Sequence, residues 1–139
     1  MIPTQGYTGT NTTFNIYRTD ELLTVVLLVD GTMVGTSECS PFDSKETYFY
    51  NRLFIQPKHR NKGYGRQLYD KTCELLDKDD ITLLIQVNPY GDLSYEQLAD
   101  FYTKHIFLPQ PITTKFEVTE DCIIRFPKSK STIECLDAN

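Results

Sequence analysis

The chain has 139 residues and a net charge of −5, with 40% apolar and 24% charged residues. That suits one soluble globular domain large enough for its own core, and the acidic balance argues against a nucleic-acid surface. The four cysteines (Cys39, Cys73, Cys122, Cys135) include no C-x-x-C pair and the two histidines lie far apart. That spacing argues against a zinc site and a disulfide framework, so no metal is expected and the thiols are read as free. With no leader segment, the expected compartment is the cytoplasm. The longest aliphatic run, residues 22–29, is too short to cross a bilayer, so no membrane partner is expected.

In chain order, residues 1–11 read as loop. Residues 12–18 alternate well enough for a first strand, and 22–29 form a second, largely buried one. Asp30-Gly31 is a hairpin signal, so residues 32–39 should return antiparallel. Residues 40–45, with Pro41 and Asp43, read as loop, and 46–55 as a fourth strand rich in aromatic residues. A first helix is expected over about 63–77, burying Tyr64, Leu68, Thr72, Leu75 and Leu76. Residues 81–87 carry the near-continuous apolar run of a central strand, and 88–92 a turn. Ser94 and Gln97 match a capping box that starts a second helix, ending near Lys104. Residues 113–118 and 122–126 should pair as a terminal hairpin, leaving a polar tail at 128–139. This order predicts an α/β domain with a mixed sheet of about seven strands and two main helices.

Between the fourth strand and the first helix lies Arg60-Asn61-Lys62-Gly63-Tyr64-Gly65. A helix start has N–H groups without intrahelical partners and a partial positive charge, which suits a phosphate. Glycines at 63 and 65 remove Cβ atoms that would hold a ligand off those amides. Arg60, Lys62 and Arg66 add positive charge. The spacing matches neither the dinucleotide G-x-G-x-x-G nor the G-x-x-x-x-G-K-S/T loop. The plainer alternative is a basic, glycine-tolerant helix start.

Arg-x-x-Gly-x-Gly after Leu53-Phe54-Ile55-x-Pro57 resembles the coenzyme A pyrophosphate loop of the GNAT superfamily of N-acetyltransferases, and the element order resembles that fold from about residue 12 to 127. The resemblance implies that the parallel fourth and fifth strands splay and that acetyl-coenzyme A (acetyl-CoA) wedges between them. Leu53, Phe54 and Ile55 would then hold the pantetheine arm, and Arg60, Asn61, Lys62, Gly63, Tyr64, Gly65 and Arg66 the pyrophosphate. The segment from Phe101 to Phe107 is similar to the family's F-Y-x-x-x-G-F signature, which makes Tyr102 the candidate general acid. Ile106 replaces that signature's glycine, and Tyr95 stands where many members place a cofactor-binding Asn. Some members use a Glu on the fifth strand as base; the matching residue here is Gln86, so Glu46, Glu38 or a water chain are the alternatives. Tyr90 and Asp92 would line the acceptor pocket, in a loop after a parallel strand.

Members of the family carry one or two helices between the first two strands, where this chain has only Thr19, Asp20 and Glu21. The implied function is transfer of acetyl to a primary amine of a small molecule or protein, with a protein acceptor or a second copy of the chain covering the open side. The alternative is a catalytically weak or inactive module of the same fold that binds coenzyme A, a partner protein, or both.

Overall fold

Strands form where the apolar period is two and helices where it lengthens to 3.6. The computed structural model describes residues 11–87, 94–104, 114–119 and 122–127, apart from the Tyr95 side chain. The expected leading loop up to residue 10, the turn at 88–92 with Tyr90 and Asp92, Ile106, Cys135 and the tail lie outside these residues. The elements described are β1 (Thr12–Arg18), β2 (Leu23–Val29), β3 (Thr32–Phe42), β4 (Ser44–Ile55), α1 (Tyr64–Lys78), β5 (Thr82–Gln86), α2 (Tyr95–Tyr102), β6 (Phe116–Val118) and β7 (Cys122–Arg125), with a 3-10 turn at Pro57–His59. None of the described helices is long and apolar enough to cross a membrane.

The seven strands form one sheet in the order β1-β2-β3-β4-β5-β7-β6. Every pairing is antiparallel except β4 with β5. The β2–β3 turn places both Asp30 (φ 51°) and Gly31 (φ 82°) in the left-handed region, as a two-residue hairpin requires. No helix interrupts β1 and β2. The Thr19 N–H donates to the Leu22 carbonyl at 2.9 Å, and the Thr19 hydroxyl accepts from the N–H groups of Glu21 and Leu22.

One expected loop is instead strand. β3 runs on through Phe42 and turns at Asp43 alone (φ 71°), so that Phe42 pairs with Ser44. Pro41 is accepted within β3 because β2 ends at the Leu23↔Cys39 pair. That stretch of β3 has one neighbour, and a missing N–H on the other side breaks no ladder.

α1 packs on the face that carries Leu23, Val25 and Leu27 of β2 and Ser37 and Cys39 of β3, all fully buried. Of its expected stripe, Leu68, Thr72 and Leu76 are buried, while Tyr64 and Leu75 are half-buried. Tyr69, Asp70 and Cys73 are buried as well. The helix is covered on a second side, by α2 and β7, which a one-stripe reading does not anticipate. The capping box of α2 forms: the Ser94 hydroxyl accepts from the Gln97 N–H, and the Gln97 side chain accepts from the Ser94 N–H at 2.8 Å. Gly35 went unremarked in the sequence. A Cβ there would lie 2.5 Å from Ile55 Cδ1 and 2.6 Å from the Phe54 carbonyl oxygen, so only glycine lets β3 lie against the end of β4.

Candidate active site

β4 and β5 run together for three residue pairs only, Thr47↔Thr82, Tyr48↔Leu83 and Phe49↔Leu84. Beyond them β4 follows β3 to Ile55, while β5 follows β7 to Gln86. Asn51 is an extra residue in β4, skipped between the Cys39↔Tyr50 and Glu38↔Arg52 pairs, and a bulge of this kind bends its strand. On the side facing the gap, residues 51–55 have no strand partner among the described residues, which leaves backbone donors and acceptors for something else to satisfy.

A cleft of about 470 Å³ follows the gap. Leu53, Phe54 and Ile55 form one wall; Gln97, Leu98, Phe101 and Tyr102 of α2 form the other; Arg60 and Gly65 close the end. Arg60 is anchored there by its Nε donating to the Ile55 carbonyl at 2.7 Å. The loop reaches the helix through two left-handed residues, Asn61 (φ 65°) and Gly63 (φ 84°). Gly63 is the N-cap of α1, and no side chain caps the helix. The first intrahelical bond runs from the Gln67 N–H to the Gly63 carbonyl, so the N–H groups of Tyr64, Gly65 and Arg66 precede any partner. The first turn holds no acidic residue, and the site suits an anion. The two glycines serve different ends. A Cβ on Gly63 would touch nothing, so that residue is required for its backbone angle. A Cβ on Gly65 would stand 3.8 Å from Ile55 Cγ1 and from Phe101 Cζ, in the cleft itself.

Tyr102 stands where the strands part. Its ring lies 6.0 Å from that of Tyr50, the first β4 residue beyond the parallel pairs, and 5.2 Å from that of Tyr69, both edge-on. The two neighbours are differently employed. The Tyr50 hydroxyl sits 2.7 Å from Ser37 Oγ, and Thr72 Oγ1 lies 2.9 Å from both Ser37 Oγ and the Leu68 carbonyl. A carbonyl only accepts, so Thr72 donates to Leu68, Ser37 to Thr72, and Tyr50 to Ser37. Burial pushes the phenols of Tyr50 and Tyr69 well above the ordinary tyrosine value. Both stay neutral and internal, while Tyr102 is half-buried and lines the cleft.

The model described as the acetyltransferase (GNAT) family matches residues 4–105, well over half of the chain. The chain belongs to the GNAT family of acetyltransferases. The cosubstrate of that family is acetyl-CoA. Among solved structures the GNAT fold here is similar to the ribosomal-protein-S18-alanine N-acetyltransferase of Escherichia coli (16% identity, TM-score 0.55, covering 79% of this chain and 70% of that one). It is also similar to an Escherichia coli GNAT family N-acetyltransferase in complex with CoA (15%, 0.55, 70% and 71%). The PaiA N-acetyltransferase of Thermoplasma acidophilum, in complex with coenzyme A, is a third (17%, 0.52); it is matched over 78% of this chain and 61% of its own length. At these identities the likeness is one of fold. No curated protein matches the sequence.

For this GNAT domain the residues present fit the cosubstrate: an uncapped helix start for the diphosphate and a strand edge without a partner for the pantetheine amides. Leu53, Phe54, Ile55, Arg60, Gly65 and Tyr102 are brought onto one cleft. Asn61, Lys62 and Gly63 are exposed in the adjoining loop, and Tyr64 packs edge-on toward His59. Arg66 departs from expectation. Its guanidinium turns back over the Phe101 ring at 4.2 Å and donates to the Lys104 carbonyl, leaving its backbone N–H at the loop. Tyr95 opens α2. Neither candidate base lines the cleft. Glu46 is exposed at the start of β4, at the opposite end of that strand from residues 53–55. Glu38 pairs with Arg52 in register, on the face away from α1, since side chains alternate along β3 and Ser37 and Cys39 face the helix. Gln86 is exposed at the end of β5. The sequence reading missed Gln97, Leu98 and Phe101 as a cleft wall, although Leu98, Phe101 and Tyr102 share a helix face at i, i+3 and i+4.

Burial pushes the thiols of Cys39 and Cys73 up from 9.0 to about 12. Both should stay unlabelled by a thiol-disulfide reagent at pH 8 until the chain is unfolded. Their raised values also set a sign. The neutral thiols fit the core fully below pH 9, and between pH 9 and 12 the unfolded chain releases protons that the folded one holds. Stability should therefore fall as pH rises through that window, by roughly 1 kcal/mol per pH unit for each thiol. Urea midpoints at pH 8 and pH 10 check this, and an unchanged midpoint would contradict the burial of both groups.

Proposed function

We propose that the chain is an N-acetyltransferase that moves acetyl from acetyl-CoA to a primary amine of a small-molecule or protein acceptor by direct attack. One observation carries this reading: the uncapped, glycine-bearing start of α1, the partnerless edge of β4 and Tyr102 all border a single cleft. When bound, acetyl-CoA supplies the activated acyl group as a thioester. The N–H groups of residues 64–66, with the charges of Arg60 and Lys62, hold the diphosphate. Residues 53–55 pair with the pantetheine amides, and a β4 N–H polarises the thioester carbonyl. Tyr102 gives its proton to the sulfur as the thiolate departs. The amine passes its own proton to water, because none of the described residues lining the cleft is a carboxylate or histidine. Holding both reactants in one cleft supplies much of the rate, so a weak base suffices.

The reading takes the cytoplasm as its compartment and no nucleic acid as partner. The tight β1–β2 link leaves one side open, which favours a protein acceptor or a second copy of the chain as cover. A different reading is a catalytically weak or inactive module that keeps the fold to bind coenzyme A or a partner protein. The lack of a base among the described cleft residues favours it.

Calorimetric titration with acetyl-CoA tests the site, with Gly65→Leu as control. That variant adds a side chain into the cleft at a backbone angle it tolerates. Micromolar binding, weakened at least ~10-fold in Gly65→Leu, is the expected result. No binding by the unmodified protein would sink the enzyme reading, and binding without thioester turnover would leave the module.

A further inference from the structure

α2 is eight residues long and ends at Tyr102. A helix this short is marginal alone in water, and α2 has no basic residue in its last turn to answer the partial negative charge of its final carbonyls. α1 supplies what α2 lacks. Tyr69 Oη donates to the Tyr102 carbonyl at 2.6 Å, and the Arg66 guanidinium donates to the Lys104 carbonyl. The two residues stand three apart in α1 and so share a face. Each also holds its place by packing. Arg66 stacks over Phe101 at 4.2 Å with the buried Asp70 carboxylate 3.8 Å away. The fully buried Tyr69 ring meets Phe101 at 5.8 Å and Tyr102 at 5.2 Å.

We propose that Arg66 and Tyr69 are positioning residues: from the start of α1 they clamp the C-terminal end of α2 and so fix where Tyr102 meets the cleft. The functional consequence rests on the acetyltransferase reading given above. Residue 66 serves two sites through two groups, its N–H at the anion loop and its guanidinium on α2. One turn of helix thereby sets the distance between the diphosphate site and the acid. The Arg66 charge is spent on the Lys104 carbonyl, just past the end of α2, and on Asp70 rather than on phosphate.

The test compares Arg66→Met, which keeps the stem without donor or charge, Arg66→Lys, which keeps the charge, and Tyr69→Phe, which removes one hydroxyl and keeps the ring. For each, kcat and KM are measured with acetyl-CoA, the dissociation constant with coenzyme A, and amide exchange over α2. In Arg66→Met and Tyr69→Phe, kcat should fall about 10- to 100-fold, the scale of a misplaced catalytic group. The coenzyme A constant should stay within about threefold, α2 exchange should rise, and Arg66→Lys should recover part of kcat. Binding weakened tenfold or more in Arg66→Met, with kcat unchanged, would show the guanidinium serving the phosphate and overturn the clamp. If the unmodified protein binds coenzyme A without turnover, the enzyme reading falls and α2 exchange decides alone. Faster exchange in Arg66→Met and Tyr69→Phe then supports the clamp, and unchanged exchange overturns it.

Discussion

Asp77→Ala should cost the fold about 3–5 kcal/mol, the scale of a buried ion pair that loses one partner. Arg125 on β7 is wholly buried, and its guanidinium meets the Asp77 carboxylate two-on-two, Nη1 to Oδ1 at 2.8 Å and Nη2 to Oδ2 at 2.9 Å. The paired geometry matches the two planar groups. Removing Asp77 leaves a cation in the interior without its carboxylate, between the last turn of α1 and the sheet. Replacing both partners, as in Asp77→Leu with Arg125→Met, should cost much less, because neither member of the pair is left charged without the other. Urea unfolding of the single and double variants makes the comparison. A single variant within about 1 kcal/mol of the unmodified protein would mean that the pair does not anchor α1 to β7.

Tyr102→Phe should lower kcat about 100-fold or more, the usual scale for a lost general acid, with coenzyme A binding held. The phenyl ring keeps its edge contacts with Tyr50 and Tyr69, so the change isolates the hydroxyl. Release of coenzyme A thiol, followed continuously, gives the rate, and calorimetry gives the binding. Tyr50→Phe is the matched control, because that hydroxyl is committed to Ser37 away from the cleft. A Tyr102→Phe enzyme with full kcat would remove Tyr102 from the chemistry and leave it a wall residue.

Much of this arrangement was legible in local sequence because local physics writes it. Asp30-Gly31 names its turn, Ser94 and Gln97 name their helix start, and 12–18 is a strand by its alternation alone. The glycine loop is legible because few residue types accept the backbone angle of Gly63 or the space at Gly65. What was not legible depends on neighbours far along the chain. Pro41 marks a loop until β2 is known to reach no further along β3 than the Leu23↔Cys39 pair. Gly35 looks idle until Ile55 is placed against it. Arg66 reads as one more loop cation, and only the position of Phe101 and the Lys104 carbonyl gives it other work. The placement of Glu38 and Glu46 away from the cleft was hidden for the same reason: a carboxylate on a strand is visible in sequence, but the end and face it occupies are set by the register of the whole sheet.

The β1–β2 link has a consequence for how the chain reaches its fold. With no helices inserted there, β1 to β4 form a run of adjacent hairpins, each zipped from its own turn. The pairs that join this run to the rest are far apart along the chain; Thr47 waits 35 residues for Thr82 (82 − 47). Local pairings form fast and distant ones slowly. The N-terminal four strands are thus able to assemble early, during synthesis, and the three-pair seam between β4 and β5, which borders the cleft, closes late. Pulse-labelled amide exchange during refolding would show protection in 23–55 before 82–86, and the reverse order would refute it.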